Sequence, residues 1–144
     1  MTEIEIKLQE GGQLPQYKTS GASCLDCFAR VANLDGVNIP DGSRCLINLG
    51  FSIALPEGYE AVIRPRSGLT KRGVDVSLGT IDSDYRGEVM ACLINNSGGA
   101  YTVHSGDRIC QMKIQESKRF SWKPVSELPA TERGSGGFGS TGIN

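Results

Sequence analysis

The chain has 144 residues, enough for one domain with a buried core. Its 15 basic and 16 acidic residues leave a net charge of −1, which argues against a nucleic-acid groove and confines any phosphate site to a local cluster. No apolar run approaches the ~18–20 residues of a membrane span. The five cysteines, Cys24, Cys27, Cys45, Cys92 and Cys110, are odd in number. With no signal peptide ahead of them, the expected compartment is the reducing cytoplasm.

Along the chain, Ile4, Ile6 and Leu8 alternate as in a half-buried strand. Asp26 lies in Ser20–Cys27, and a lone acid in such a stretch is by default one half of a structural salt bridge. Cys24-Leu25-Asp26-Cys27 has CxxC spacing. Cys45 stands alone, however, His104 is the single histidine and no helical pattern follows. The pair therefore reads as buried or half-buried thiols rather than as a zinc or redox site. Strands are expected at Arg44–Leu49, Phe51–Leu55, Tyr59–Arg64, Val74–Ser77, Glu88–Asn95, Tyr101–His104 and Ile109–Ile114. Turns separate them at Asp35-Gly36, Asp41-Gly42, Pro56-Glu57-Gly58, Asn95–Gly99 and Ser105-Gly106-Asp107. Short strands with regular turns predict an all-β sandwich, barrel or jelly roll. One helical turn is expected over Ser67–Lys71. The β pattern stops near Glu127, giving a β domain over 1–126 and a flexible arm over 127–144.

Four stretches carry possible chemistry. Pro65-Arg66-Ser67-Gly68-Leu69 ends a strand with a cation, a hydroxyl and a glycine; it is either an ordinary strand-to-turn junction or a phosphate cradle at a helix start. Gly79–Gly87 forms the end of a hairpin and crowds Asp82, Asp84, Tyr85 and Arg86 into one turn. Its acids either bond their own backbone or supply a general base, and its splayed backbone has groups able to read a base edge. In Gly106–Met112, alternation sets Ile109, Gln111 and Lys113 on one face and Cys110 and Met112 on the other. Gln111 needs a partner, which a phosphate oxygen, a water or a backbone group would supply. The tail Arg133–Gly142 combines an arginine fork, glycines open to an anion, two hydroxyls at Ser140 and Thr141, and one stacking face at Phe138. It predicts a lid that orders over a nucleotide.

Taken in order, Asp26, PRSGL at Pro65–Leu69, IDSDYRG at Ile81–Gly87, Gly106–Met112 and RGSGGFGSTG at Arg133–Gly142 resemble the five motifs of the trimeric dUTPase family (dUTP diphosphatases) across nearly the full chain. The resemblance implies a jelly-roll (β-clip) subunit with one short helix and a flexible C-terminal arm. It also implies a homotrimer with three active sites at subunit interfaces, each closed by a neighbour's tail. The implied activity is magnesium-dependent hydrolysis of dUTP to dUMP and pyrophosphate, which supplies dUMP for thymidylate synthesis and keeps uracil out of DNA. By position, Asp82 resembles the general base that orients a water at the α-phosphorus, and Tyr85 the residue that excludes ribose. Gly79, Thr80 and Ile81, with Met90 facing them, resemble the uracil pocket. Arg66, Ser67 and Gly68 resemble phosphate contacts, Gln111 the glutamine that bonds phosphate or metal-bound water, and Asp26 the acid that reaches Mg2+ through water. Arg133 and Ser140–Gly142 would hold the γ-phosphate, Phe138 would cover the uracil, and Gly139 between them would also contact substrate. The first motif departs from the family: Ser23 and Cys24 stand where Ala-Gly is usual. Ser77 and Leu78 also replace commonly small residues.

The related dCTP deaminases share the fold but need an acid at the base carbon, and they lack the Phe-containing glycine tail. Tyr85 and the tail favour the hydrolase. A nucleotide-binding regulator on the same fold is the reading of a different class. A pure binder should have lost Asp82 or Arg133, and both are present.

Overall fold

The computed structural model describes residues 3–77 and 79–137. Within them the chain forms eleven strands and one helical turn. Four antiparallel groups result: β1 (Glu5–Leu8) with β5 (Phe51–Ala54), and β3 (Val37–Ile39) with β10 (Tyr101–Val103). A four-stranded sheet runs β2 (Leu25–Phe28), β11 (Arg108–Glu116), β6 (Tyr59–Arg64), β8 (Gly79–Ile81), and a three-stranded sheet runs β4 (Arg44–Asn48), β9 (Met90–Asn95), β7 (Val74–Val76). This is the all-β arrangement expected, with α1 at Ser67–Thr70.

Period-two burial drives the strands together. On β6, Ala61 and Ile63 point inward; on β9, Ala91, Leu93 and Asn95 do. They join Phe51, Leu49, Ile39, Ile109 and Met112 in one core. Asn95 is its buried polar member and is fully bonded. Its Nδ2 donates to Ile39 O (2.8 Å) and Gly99 O (2.7 Å), and its Oδ1 accepts from the Ser97 amide (3.0 Å) and hydroxyl (2.7 Å). The helical turn ends toward Gly73 (φ 80°), whose added Cβ would lie 2.7 Å from Asn96 O.

Two expectations change. The alternation written for Gly106–Met112 fails at Ile109, which is buried beside buried Cys110. The register shifts between Arg108 and Cys110, so a bulge turns both neighbours inward before alternation resumes at Gln111. The hairpin ending in Gly79–Gly87 also divides between sheets. β7 pairs with β9, whereas β8 leaves to pair with β6. The divergence opens a cavity between β8 and the start of β9.

The five thiols are free: Cys27 and Cys110 are buried, and Cys24, Cys45 and Cys92 are half-buried. Cys27 and Cys110 face each other across β2 and β11. A hydrogen bond with Cys110, reinforced by burial, pushes the Cys27 thiol well above its ordinary value of 9.0. The strands end at Glu116, and residues 118–135 are exposed, including Phe120, Trp122 and Leu128. No helix of the described residues is long and apolar enough to cross a membrane.

Candidate functional site

The structure gathers the predicted residues from Asp26 to Gln111 into two groups. The first surrounds Asp26. Its strand is held on both edges, opposite Gln111 on β11 and by a bridge to Gln16, so the Cβ atoms at Ser23 and Cys24 leave β2 intact. The Asp26 carboxylate is only 14% exposed and lies 3.5 Å from Arg66 Nε and 3.2 Å from Arg108 Nη1. Arg66 Nη1 also donates to Arg108 O at 2.7 Å. Two guanidinium groups against one carboxylate leave the cluster net positive, as a polyphosphate site requires. The salt-bridge reading of Asp26 therefore holds, and it places the acid beside the predicted phosphate contacts.

Pro65 and Arg66 carry the chain from β6 into α1, with Arg66 extended at the helix start (φ −100°, ψ 129°) and no side chain capping it. The first intrahelical bonds come from Leu69 and Thr70 to Arg66 O, so the Ser67 and Gly68 amides precede the bonded turn. A Cβ added at Gly68 meets nothing within 4 Å, and Gly68 is not among the glycines with positive φ. Neither the backbone nor packing within this chain demands a glycine there. Gln111 Nε2 donates to Pro65 O at 2.8 Å, which is the backbone alternative for its partner. That bond ties β11 to the same turn.

The second group lines a cavity of about 210 Å³ bounded by Ile63, Gly79, Thr80, Ile81, Asp82, Tyr85, Glu88, Val89 and Met90. This is below the ~300–1,000 Å³ of pockets that take a whole ligand, and suits one part of a larger molecule. Tyr85 and Met90 stand half exposed at it. Tyr85 Oη donates to Glu88 O at 3.0 Å, and Arg86 Nη1 donates to Ser83 O (2.7 Å) and Tyr85 O (2.9 Å), fixing the turn. Asp82 also borders a second, polar cavity of about 300 Å³ with Tyr59, Glu60, Ser83, Asp84, Ser117 and Arg119. It thus stands between an apolar and a polar chamber.

The two groups do not meet within the chain. Asp26, Gln111 and Arg64 form one row across β2, β11 and β6, while Asp82 follows Ile81, the partner of Ala61 farther back on β6. Strand geometry separates the two acids by on the order of 20 Å. Arg64 Nε is buried with no partner among the described residues. Arg133 is exposed, and its Nε donates to Gly136 O at 2.9 Å within its own turn. The predicted residues Phe138, Gly139, Ser140 and Thr141 lie outside the described residues, as does Leu78.

Sequence reasoning missed Arg108 as the second partner of Asp26, and Ile63, Glu88 and Val89 as cavity walls. Arg108 was visible in the Gly106–Met112 motif, but its partner is 82 positions away. A magnesium ion suits Asp26 only in an outer role. Its hard oxygens are already shared with two cations, and among the described residues no cluster of three acids, cysteines or histidines forms a cage. Magnesium carried by phosphate oxygens and water needs no such cage.

A family model described as dUTPase matches residues 10–142. A deoxyuridine 5'-triphosphate nucleotidohydrolase of Caulobacter vibrioides is 45% identical over 146 residues, covering 97% of this chain and 94% of that protein. The protein of the same name from Rickettsia prowazekii is 47% identical over 150 residues, covering 99% and 100%. Among solved structures, the Staphylococcus bacteriophage 80alpha dUTPase with dUPNHPP superposes with a TM-score of 0.90 over 99% of this chain and 100% of that one, at 22% identity. A mutant dUTPase from phage phi11 of S. aureus, described for its structural Mg(II) ion, gives a TM-score of 0.79 over 90% of this chain and 100% of that one, at 20% identity.

Proposed function

This chain belongs to the dUTPase family, and on that premise we propose that it hydrolyses dUTP to dUMP and pyrophosphate at a site completed by a second and a third copy of itself. The observation that carries the assembly is the separation of Asp82 from the Asp26–Arg66–Gln111 group. In this mechanism Asp82 and the phosphate-holding group act at the same α-phosphate, and a gap on the order of 20 Å is too wide for that within a single chain.

In this reading uracil enters the β8–β9 cavity and pairs with backbone groups of Gly79, Thr80 and Ile81. Met90 and Ile63 wall it in. The narrow space crowds the methyl of thymine, and cytosine presents a reversed donor and acceptor pattern. Tyr85 packs on deoxyribose and leaves no room for a 2′-hydroxyl. Asp82 takes a proton from a water aimed at the α-phosphorus. The new oxygen–phosphorus bond forms as the bond to the β-phosphate's bridging oxygen breaks, and pyrophosphate leaves. A second subunit's Arg66, Ser67, Gly68 and Gln111 hold the phosphates. Magnesium, reached by Asp26 through water, would neutralise triphosphate charge and make the α-phosphorus more electrophilic.

The body over 1–126 provides both groups, and the arm over 127–144 acts as the lid. Arg133 with Ser140–Gly142 would grip the γ-phosphate end, while Phe138 would cover the base and exclude bulk water. The five reduced thiols suit a cytoplasmic enzyme. Hydrolysis in 18O-labelled water tests the point of attack. The label should appear in dUMP; label in pyrophosphate would place attack at the β-phosphorus and remove Asp82 from the assigned role.

A further inference from the structure

We propose that Gly87 is a positioning residue for Tyr85: its missing side chain leaves the space in which the tyrosine ring lies at the nucleoside cavity. The proposal rests on reading that cavity as the uracil–deoxyribose site.

A Cβ built at Gly87 falls on Tyr85 Oη, and lies 2.5 Å from Cζ and 2.9 Å from Cε2. Non-bonded carbon atoms prefer about 3.5–4.0 Å. The backbone makes no such demand, because Gly87 is not among the glycines with positive φ. A glycine is needed at this position by the ring, two residues earlier in the chain.

The same ring tip is fixed by a hydrogen bond as well. Tyr85 Oη donates to Glu88 O at 3.0 Å. The Glu88 carboxylate lies 3.4 Å from Arg30 Nη1, and Arg30 Nε donates to Glu10 O at 2.7 Å. The carbonyl that receives the tyrosine hydroxyl is therefore tied to the body of the domain. Arg86 closes the turn through Ser83 O and Tyr85 O. Between this anchored carbonyl and the bare Gly87, the ring has one resting place.

A methyl group at position 87 would evict the ring tip while leaving the backbone acceptable. The clash is with the end of a side chain, so the ring yields before the fold does. Tyr85 is 43% exposed, and its open direction is toward solvent. Once swung outward, the ring no longer crowds the 2′ position of the sugar.

The test is Gly87→Ala, read by calorimetric binding of dUMP against UMP and by kcat/KM for dUTP against UTP. The preference for the deoxy form should fall at least about tenfold, the scale of a lost shape-based rejection. The melting temperature should stay at the wild-type value. The double variant Gly87→Ala/Tyr85→Ala should discriminate no worse than Tyr85→Ala alone, since both remove the same contact. An unchanged preference in Gly87→Ala, or losses that add in the double variant, would overturn the proposal. A wild-type protein that prefers dUMP to UMP yet releases no pyrophosphate would overturn the hydrolase reading and leave this test intact. Equal wild-type affinity for the two would overturn the positioning role directly.

Discussion

Asp82→Asn separates chemistry from folding. Among the described residues the Asp82 side chain makes no ion pair and no hydrogen bond; its backbone oxygen alone accepts, from the Tyr85 amide at 3.1 Å. The substitution keeps the shape and removes the proposed base. Stability should change by no more than about 0.5 kcal/mol, as at a site without packing or pairing to lose. Turnover should fall by about 10²–10⁴, the contribution of a positioned general base. At 1.36 kcal/mol per tenfold, that is about 3–5 kcal/mol of lost transition-state stabilisation. Asp26→Asn gives the contrast. Its carboxylate holds Arg66 and Arg108 at 3.5 and 3.2 Å, so it should lose about 1–2 kcal/mol of stability along with activity. The assay is single-turnover pyrophosphate release beside thermal melts and dUMP binding. Asp82→Asn turnover above a tenth of wild type would refute the base assignment. Loss of dUMP binding in that variant would turn Asp82 into a ligand-holding or structural residue.

Removing the chain after Glu132 should cut kcat/KM at least about tenfold, as expected for loss of a closing lid, and barely move the melting temperature. The described part so lost, 133–137, bonds within itself through Arg133 and Gly136 and, through the Gly134 amide, to Thr131 just before it. Full activity in the truncated protein would dismiss the lid. Mixing inactive Asp82→Asn and inactive Arg66→Ala chains, unfolded together and refolded, should restore part of the activity. Mixed assemblies would then contain a site with both halves intact, whereas a persistently inactive mixture would argue for a site within one chain. Stability should decline as pH rises above about 9. Cys27 is raised from 9.0 by its bond to Cys110 and by burial, and Tyr101 is raised from 10.0 by burial and then by Asp107. The folded state then holds protons that the unfolded chain releases, so each rise in pH favours unfolding. Melting temperatures from pH 7 to 10.5 check this, and a flat profile would contradict it.

The strands with clear alternation were legible in the sequence because each carries its own burial pattern. Tyr59–Arg64 is the simplest case: the expected strand forms, with Ala61 and Ile63 inward. β3 was not legible. Val37–Ile39 is three residues long and exists as a strand through its pairing with Tyr101–Val103. The bulge at Arg108–Cys110 escaped for a similar reason: a bulge is a relation between two strands, and the partner Phe28–Cys27 lies far away in sequence. The candidate site residues stood out as motifs, and Asp26, Arg66 and Gln111 do meet. Their separation from Asp82 was not legible from composition or spacing, since it follows from the strand order β2-β11-β6-β8. Arg108 shows the same limit. An arginine after a turn has no mark that assigns it to a carboxylate on another strand.

The most direct test of the central claim is pyrophosphate release from dUTP, UTP, dCTP and dTTP, side by side, with and without magnesium. A cavity that selects uracil through β8 and deoxyribose through Tyr85 predicts release from dUTP, strongly dependent on magnesium, with little from the other three. Ammonia from dCTP without pyrophosphate would move the protein to the deaminases. Binding of dUTP with no release from any of the four would contradict the hydrolase and leave a nucleotide-binding regulator.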